Sequence, residues 1–420
     1  MKTTLTTTIL LLFTQFGFAQ PTTKENEDFW MEIIRPVNER VFALVIDAEL
    51  NLIAGMGSGK GVHLSNNNGE TWQPIGLENL SIYSLHVHQN GNVFAGTGGS
   101  YNIHRLINIE EGWIPLFSAT SNIISIMHTY SGDLHFGFWG GIYKSTDNGD
   151  TWTQTLEISN AKEVASIIET ADGTMFAGIT AWSVPGGGVY RSMDNGDSWE
   201  QSGLPNKYIR SLAVNSQGDI FAGSIGDHSQ YYGGLYKSSD NGQTWVELRN
   251  DVLVTSIVIT PYDNIYFGSN EYGDKAGVFF SNDNGETWER FISGLIGPGN
   301  QKIEGLSLAP DGYLYAYGNH LHRSVEPVLS SNSIHQPDVI QAIIYPNPFS
   351  ENINIVLPDV FQDFSSVNIF IYDSLGKSVF KQKSTGKYNL GLNLSFLNPG
   401  IYYVVIEIYG QRFSKPAIKQ

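Results

Sequence analysis

Seven times along the chain a β-branched apolar residue is followed two positions later by a small residue and then at once by another apolar one. The first column is Val41, Ile82, Ile123, Val164, Ile209, Val254 and Ile303. The small column is Ala43, Ser84, Ser125, Ser166, Ser211, Ser256 and Gly305, and the next residues are Leu44, Leu85, Ile126, Ile167, Leu212, Ile257 and Leu306. Neighbours in a strand face opposite sides, so regular alternation places the two apolar columns on opposite faces of a strand buried on both. The small column fits crowding where strands converge, or a ring of hydroxyls along a channel. A turn such as Asn90-Gly91-Asn92 or Ala171-Asp172-Gly173 follows each strand. A second strand comes next, with Phe94-Ala95-Gly96, Phe176-Ala177-Gly178 or Phe221-Ala222-Gly223 at its centre.

A third strand then runs into a short octapeptide that occurs five times: Ser65–Trp72, Ser145–Trp152, Ser192–Trp199, Ser238–Trp245 and Ser281–Trp288. Asn and Gly tolerate the positive φ of a tight turn, and the Asp can accept backbone N–H groups across it, so each copy reads as a hairpin. The Trp supplies an apolar plate beneath the turn. Recurrence every 40–47 residues or so marks a repeat architecture. Trp30, Trp72, Trp113, Trp152, Trp199, Trp245 and Trp288 form one column. The third strands, at His63–Ser65, His104–Arg105, Tyr143–Ser145, Tyr190–Ser192, Tyr236–Ser238, Phe279–Ser281 and His322–Ser324, form another. The columns are out of phase. The first Trp strand has no hairpin partner before it, and the last partner strand has no Trp after it. A ring closed by pairing those two strands resolves the mismatch, which predicts a seven-bladed β-propeller of four-stranded blades.

Strand alternation also sorts the loops. The turn between strands one and two shares a face with the Asp hairpin, while the variable loop between strands two and three opens on the opposite face with the crossover to the next blade. Ligand contacts are expected on that variable face. After the propeller, over 20–326, residues 327–342 read as a Ser/Asn/Pro-rich linker. Alternating strands at Ile353–Leu357, Val367–Tyr372, Val379–Gln382, Leu390–Leu394, Ile401–Ile408 and Arg412–Ile418 then predict a small Ig-like β-sandwich over 343–420. The fold class is therefore all-β. At the other end, Lys2, the apolar stretch Ile9–Phe18 and the small residues of Gly17-Phe18-Ala19 predict a secretory signal peptide over residues 1–19. No transmembrane segment is expected in the mature chain.

Composition changes this picture in three places. Charged residues are only 15% and Gly numbers 45, as suits a turn-rich β protein. The net charge is −17; with +2 over residues 343–420 and +1 at Lys2, residues 20–342 carry −20, which excludes nucleic acid as a natural partner. Cys is absent, so disulfides, thiolate metal sites and Cys nucleophiles are ruled out.

The octapeptides resemble the Asp-box (BNR) repeat, S-x-D-x-G-x-T-W. Asp147, Asp194, Asp240 and Asp283 keep the Asp, Asn67 replaces it in the first copy, and a further copy near Glu111-Gly112-Trp113 is eroded. The resemblance implies a propeller like those of sialidases, xyloglucanase-type hydrolases, sortilin-type receptors and photosystem-assembly factors, which share the box without sharing a function. The C-terminal part, from Tyr345-Pro-Asn-Pro-Phe349 through Asn398-Pro-Gly400-Ile401-Tyr402 to Lys415–Lys419, resembles the type A C-terminal sorting domain of the Bacteroidetes type IX secretion system. That implies an exported chain, at the outer-membrane surface or released, with the type IX machinery as a partner of residues 343–420.

Candidate chemistry is sparse. Asp147, Asp194, Asp240 and Asp283, with Trp152, Trp199, Trp245 and Trp288, are expected to be structural. One or two carboxylates per turn fall short of the six or more oxygens calcium needs, so no metal or cofactor is expected. By resemblance, sialidase chemistry needs three arginines, a Tyr–Glu pair and an acid Asp. Here Ile34-Arg35-Pro36 lacks the middle Ile of the family's signature, and only Arg40 and Arg210 sit at the upper start of inner strands. Paired-carboxylate hydrolysis could draw on Glu163, Glu304, Asp227, Glu271 and Asp274. His86 with His88, and His320 with His322, share strand faces without metal-site spacing. Aromatics in the long loops, Tyr101, Trp139, Trp182, Tyr231, Tyr232 and Tyr272, could form platforms for sugars or proteins. Around the mouth, Arg40, Glu163, Tyr208, Arg210, Lys302 and Glu304 are the polar candidates, and Asp227 is a further candidate contact on the variable face. The expected function is a non-catalytic module binding an extracellular glycan or protein; the alternative is a xyloglucanase-like or sialidase-like glycoside hydrolase. No catalytic residue is assigned.

Overall fold

In the computed structural model, residues 28–329 are described apart from 99–101, 120, 160–161, 182–184, 228–232 and 296–301. Beyond them, 343–345, 349–356, 367–373, 377–384, 389–408 and 411–419 are described. The expected signal peptide and most of the expected linker lie outside these residues. Residues 30–324 form seven four-stranded antiparallel sheets, six built from consecutive strands. The seventh pairs Ile303–Leu308, Leu314–Gly318 and Leu321–Ser324 with Trp30–Ile33, in register Trp30↔Ser324 to Ile33↔Leu321. The ring thus closes through the N-terminal strand, as the phase of the two sequence columns requires. Blades are numbered here from Val41–Ile46, the inner strand of blade one.

Every inner strand carries a β-bulge at one equivalent place. In blade one Val41 pairs with Met56 and Ala43 with Gly55, leaving Phe42 as the extra residue. The corresponding residues are Tyr83, Ile124, Ala165, Arg210, Thr255 and Glu304. The bulge overturns one expectation. Because Val41 and Leu44 pair with Met56 and Ala54, two residues apart on one strand, they lie on the same face, and all four share one core cluster with the preceding blade's Tyr315 and Leu321. Ala43 faces the following blade instead, among Ile82, Leu85 and Ala95. An extra residue shifts the alternation by one, which a strict period of two cannot reveal.

The blades interlock through this face. The small residue stands beside a glycine of the second strand, as in Ala43↔Gly55, Ser125↔Gly137 and Ser256↔Gly268. The β-branched residue of the next inner strand fills the gap. A Cβ on Gly55 would sit 2.6 Å from Ile82 Cγ2, and one on Gly137 would sit 2.7 Å from Val164 Cβ. The serine hydroxyls do not line a channel. Ser84 donates to the Ile123 carbonyl at 3.1 Å and Ser125 to the Val164 carbonyl at 2.9 Å, while Ser166, Ser211 and Ser256 accept from the N–H groups of Leu212, Ile257 and Leu306. At the closing junction the pair is inverted to Gly305↔Tyr317. The Tyr317 ring covers the place a Cβ on Gly305 would need, and Ser307 Oγ donates to the Leu44 carbonyl at 2.6 Å.

The Asp hairpins are closed hydrogen-bond units. Ser145 Oγ donates to Asp147 Oδ1 at 2.7 Å and accepts the Gly149 N–H at 2.8 Å; Thr151 gives Asp147 both its N–H and its hydroxyl. Trp152 Nε1 returns to the Gly149 carbonyl at 2.9 Å. Asn148 and Gly149 adopt φ 59° and 90°, the left-handed region the turn demands. Trp199, Trp245 and Trp288 repeat this bond to their own boxes. Trp30, Trp72 and Trp113 instead reach the previous blade, at the carbonyls of Phe291, Ile34 and Ile75. Cations of the third strands cross to the next box: Arg105 to the Asn148 carbonyl, Lys144 to that of Asn195, and Arg191 to that of Asn241.

The C-terminal part packs two antiparallel sheets. One contains Ile343–Tyr345, Asn352–Val356 and Asn389–Asn393; the other contains Ser378–Ser384, Val367–Asp373, Gly400–Ile408 and Gln411–Lys419. Ile353, Ile355, Ile369, Ile371, Leu392, Val404 and Ile406 fill the space between them. Among the described residues no helix is long and apolar enough to cross a membrane.

Candidate functional site

A bulge re-aims the side chain it carries, and seven bulges at one level make a ring at the mouth of the propeller. Read by blade, the ring is Phe42, Tyr83, Ile124, Ala165, Arg210, Thr255 and Glu304. Three consecutive blades supply an apolar arc. Phe42 and Tyr83 stack on one another with centroids 5.6 Å apart and planes 23° apart. Blades five to seven supply a polar arc. Arg210 and Glu304 carry it, while Thr255 between them turns into the blade junction, its buried hydroxyl donating to the Ile303 carbonyl at 2.6 Å.

Side chains just outside the ring complete it. Glu163, only 4% exposed, accepts the Trp139 indole N–H on one carboxylate oxygen and faces Arg210 Nη1 at 3.4 Å with the other. An isolated bridge between Trp139 and Glu163 fixes the backbone positions of that pair. Arg40 donates from Nε to Asn319 at 3.0 Å and pairs with Glu304 at 3.4 Å. Lys207 pairs with Asp227 at 3.2 Å, and Lys302 Nζ lies 3.6 Å from the centroid of the exposed Tyr272 ring.

The expected site residues thus fall into four places: Trp139 with Glu163 and Arg210; Arg40 with Glu304; Lys302 with Tyr272; and Asp227, whose partner Lys207 was not among those expected. Tyr208 is buried and presents little surface to a ligand. Tyr101, Trp182, Tyr231 and Tyr232 lie outside the described residues. Asp274 falls in a short 3-10 turn, Gly273–Lys275. The sequence reading passed over Phe42, Tyr83 and Ile124. The signal that could have found them is the position between the first apolar column and the small column, the one place in this motif whose chemistry changes from blade to blade.

Other arginines are committed to structure. Arg105 and Arg191 hold neighbouring boxes, Arg249 pairs with Asp251, and Arg290 binds the carbonyls of Ala276 and Gly273. At the lower end of the inner strands, His86 Nε2 lies 2.6 Å from His128 Nδ1, with the His88 ring 4.7 Å from that of His128. Burial, followed by the neighbouring His128 and His88, pushes His86 down to about 3, so His86 is neutral. Among the described residues no group of three His, Cys, Asp or Glu could hold a metal ion.

Comparison with known proteins agrees with both halves of the chain. Residues 343–420 match the model of the secretion system C-terminal sorting domain, and residues 279–290 match that of the BNR/Asp-box repeat. None of the curated proteins matches the chain. Among solved structures, one titled YCF48 bound to D1 peptide is 14% identical with a TM-score of 0.54, covering 71% of this chain and 96% of that one. A catalytically inactive virginiamycin B lyase from Staphylococcus aureus, with quinupristin, is 11% identical with a TM-score of 0.56, covering 71% and 99%. The extracellular domain of a hybrid two component system from B. thetaiotaomicron is 14% identical with a TM-score of 0.57, covering 93% of this chain and 57% of that one. At such identities the likeness is one of fold.

Proposed function

Because the chain is an Asp-box propeller carrying a type IX sorting domain, and so is exported to the cell surface or beyond, we propose that it is a binding module for an extracellular glycan or protein ligand. The observation that carries this reading is the division of the mouth ring into an apolar arc, Phe42, Tyr83 and Ile124, and a polar arc with Arg210 and Glu304. An apolar wall combined with a few polar groups is the usual lining of a ligand site. The carboxylates favour holding over cleaving. A glycoside hydrolase needs one carboxyl as acid and a second as nucleophile or base. Glu163 is engaged by Arg210 and Trp139, Glu304 by Arg40, and Asp227 by Lys207. Peptide binding by a propeller has a precedent in the YCF48–D1 peptide structure.

The test is to present the secreted protein to a glycan array and to a peptide library, and to analyse products for every hit. Retention without new products supports the module. Release of sugars from a retained glycan, abolished by Glu163→Gln, would replace it with the hydrolase.

A further inference from the structure

Arg210 is held from behind. The Glu163 carboxylate at its back is buried, is fixed on one oxygen by the Trp139 indole, and engages Arg210 Nη1 at 3.4 Å with the other. The Arg210 side chain is 38% exposed and is the one cation among the seven bulge residues. A guanidinium has five N–H donors in a fixed fork matched to a carboxylate. Fixing that fork beforehand removes the rotamer entropy a ligand would otherwise have to overcome. Farther round the ring, Phe42 and Tyr83 present a stacked aromatic pair, and Ile124 is the bulge residue of the following blade.

We infer that the mouth binds an amphipathic monocarboxylate: the carboxylate on the fork of Arg210, and an apolar, preferably aromatic, body against Phe42, Tyr83 and Ile124. This rests on the reading of the propeller as a binding module. A polyanion is disfavoured, because Glu304 stands on the same arc and residues 20–342 carry −20 by sequence. Two sources offer such a group, a free organic acid and the C-terminal residue of a polypeptide.

The experiment uses the full exported chain. N-acetylphenylalanine, its carboxamide and a short peptide ending in a free Phe carboxylate are titrated by calorimetry and saturation-transfer NMR. The acid binds saturably and its amide at least about tenfold more weakly, the loss expected for one charge-assisted contact. Arg210→Lys keeps the charge beside Glu163 but loses the fork; it weakens the acid about tenfold and leaves the amide unchanged. Phe42→Ala weakens both. A peptide that binds more tightly than the acid makes a chain end the source, and a peptide that is excluded makes it a free acid. Should Arg210→Lys lower the thermal midpoint, the double variant Glu163→Gln/Arg210→Gln carries the comparison without a stranded charge. Equal binding of acid and amide, or no saturable binding of any probe, overturns the inference. A glycan or protein partner whose binding survives both Arg210→Lys and Phe42→Ala would leave the binding module standing and sink this site alone.

Discussion

At the scale of single residues, the serine that opens each hairpin matters as much as the aspartate that names it. Ser145 is 2% exposed and satisfies the buried Gly149 N–H while donating to Asp147. Ser145→Ala leaves that N–H unpaired, and an unsatisfied buried donor costs about 1–3 kcal/mol. The expected result is a lower midpoint in denaturant with an unchanged slope. The aspartates behave differently. Hydrogen bonds from the following Thr or Ser hydroxyl, then from its backbone N–H, hold Asp147, Asp194, Asp240 and Asp283 down at about 2. Their contribution is present above pH 4 or so and is lost as pH falls through about 2. Asn67 shows what survives neutralisation: it still accepts from Ser65 and Thr71 and donates to the Thr71 hydroxyl. Asp147→Asn should therefore cost less than Asp147→Ala at neutral pH, as thermal melts of the two variants would report.

At the scale of elements, the blade junction is where sequence and structure part company. The columns of Val41, Ala43 and Leu44 were legible because each recurs seven times, and so was the closing strand. The faces were not legible, because the bulge at Phe42 lies between two columns and inverts the alternation after it. For the same reason the candidate site was half visible. Arg40, Glu163, Arg210 and Glu304 stood out as charges at strand starts, whereas Phe42, Tyr83 and Ile124 look like ordinary strand residues until the register is known. Hydrophobic pattern records which residues are buried, and only pairing records where an extra residue points. The junction itself is testable. Gly137→Ala would place a methyl 2.6 Å from the Val164 carbonyl oxygen and 2.7 Å from its Cβ, both on the next blade. Overpacking of this kind costs about 1–3 kcal/mol. A variant as stable as the parent would show that the blades can part without cost.

At the scale of the whole molecule, acid sensitivity should be distributed over the ring. Burial holds His104, His135 and His322 down at about 4, and His86 lies lower still. Each is buried neutral and must charge on unfolding. Each therefore adds stability that is complete above pH 6.5 or so and drains away as pH falls toward 4. Thermal midpoints of the full chain should decline steadily over that window, well before the hairpin aspartates protonate. A flat profile between pH 6.5 and 4 would contradict the buried neutral assignment. The sorting domain makes a separate claim at this scale: removal of residues 343–420 should leave the propeller folded and stop its appearance outside the cell, as fractionation would show.

The closing strand has a consequence in time. Trp30–Ile33 is synthesised nearly 300 residues before Leu321–Ser324, the strand it must pair with. Six blades can form from neighbours as the chain lengthens, yet the first segment made waits without a partner until the last arrives. Val325 N–H then meets the Phe29 carbonyl at 2.9 Å, so the propeller begins and ends at one spot. A gene rearranged to start between any two blades would encode the same ring with a shorter wait for its last strand, and its refolding should lose the slowest phase.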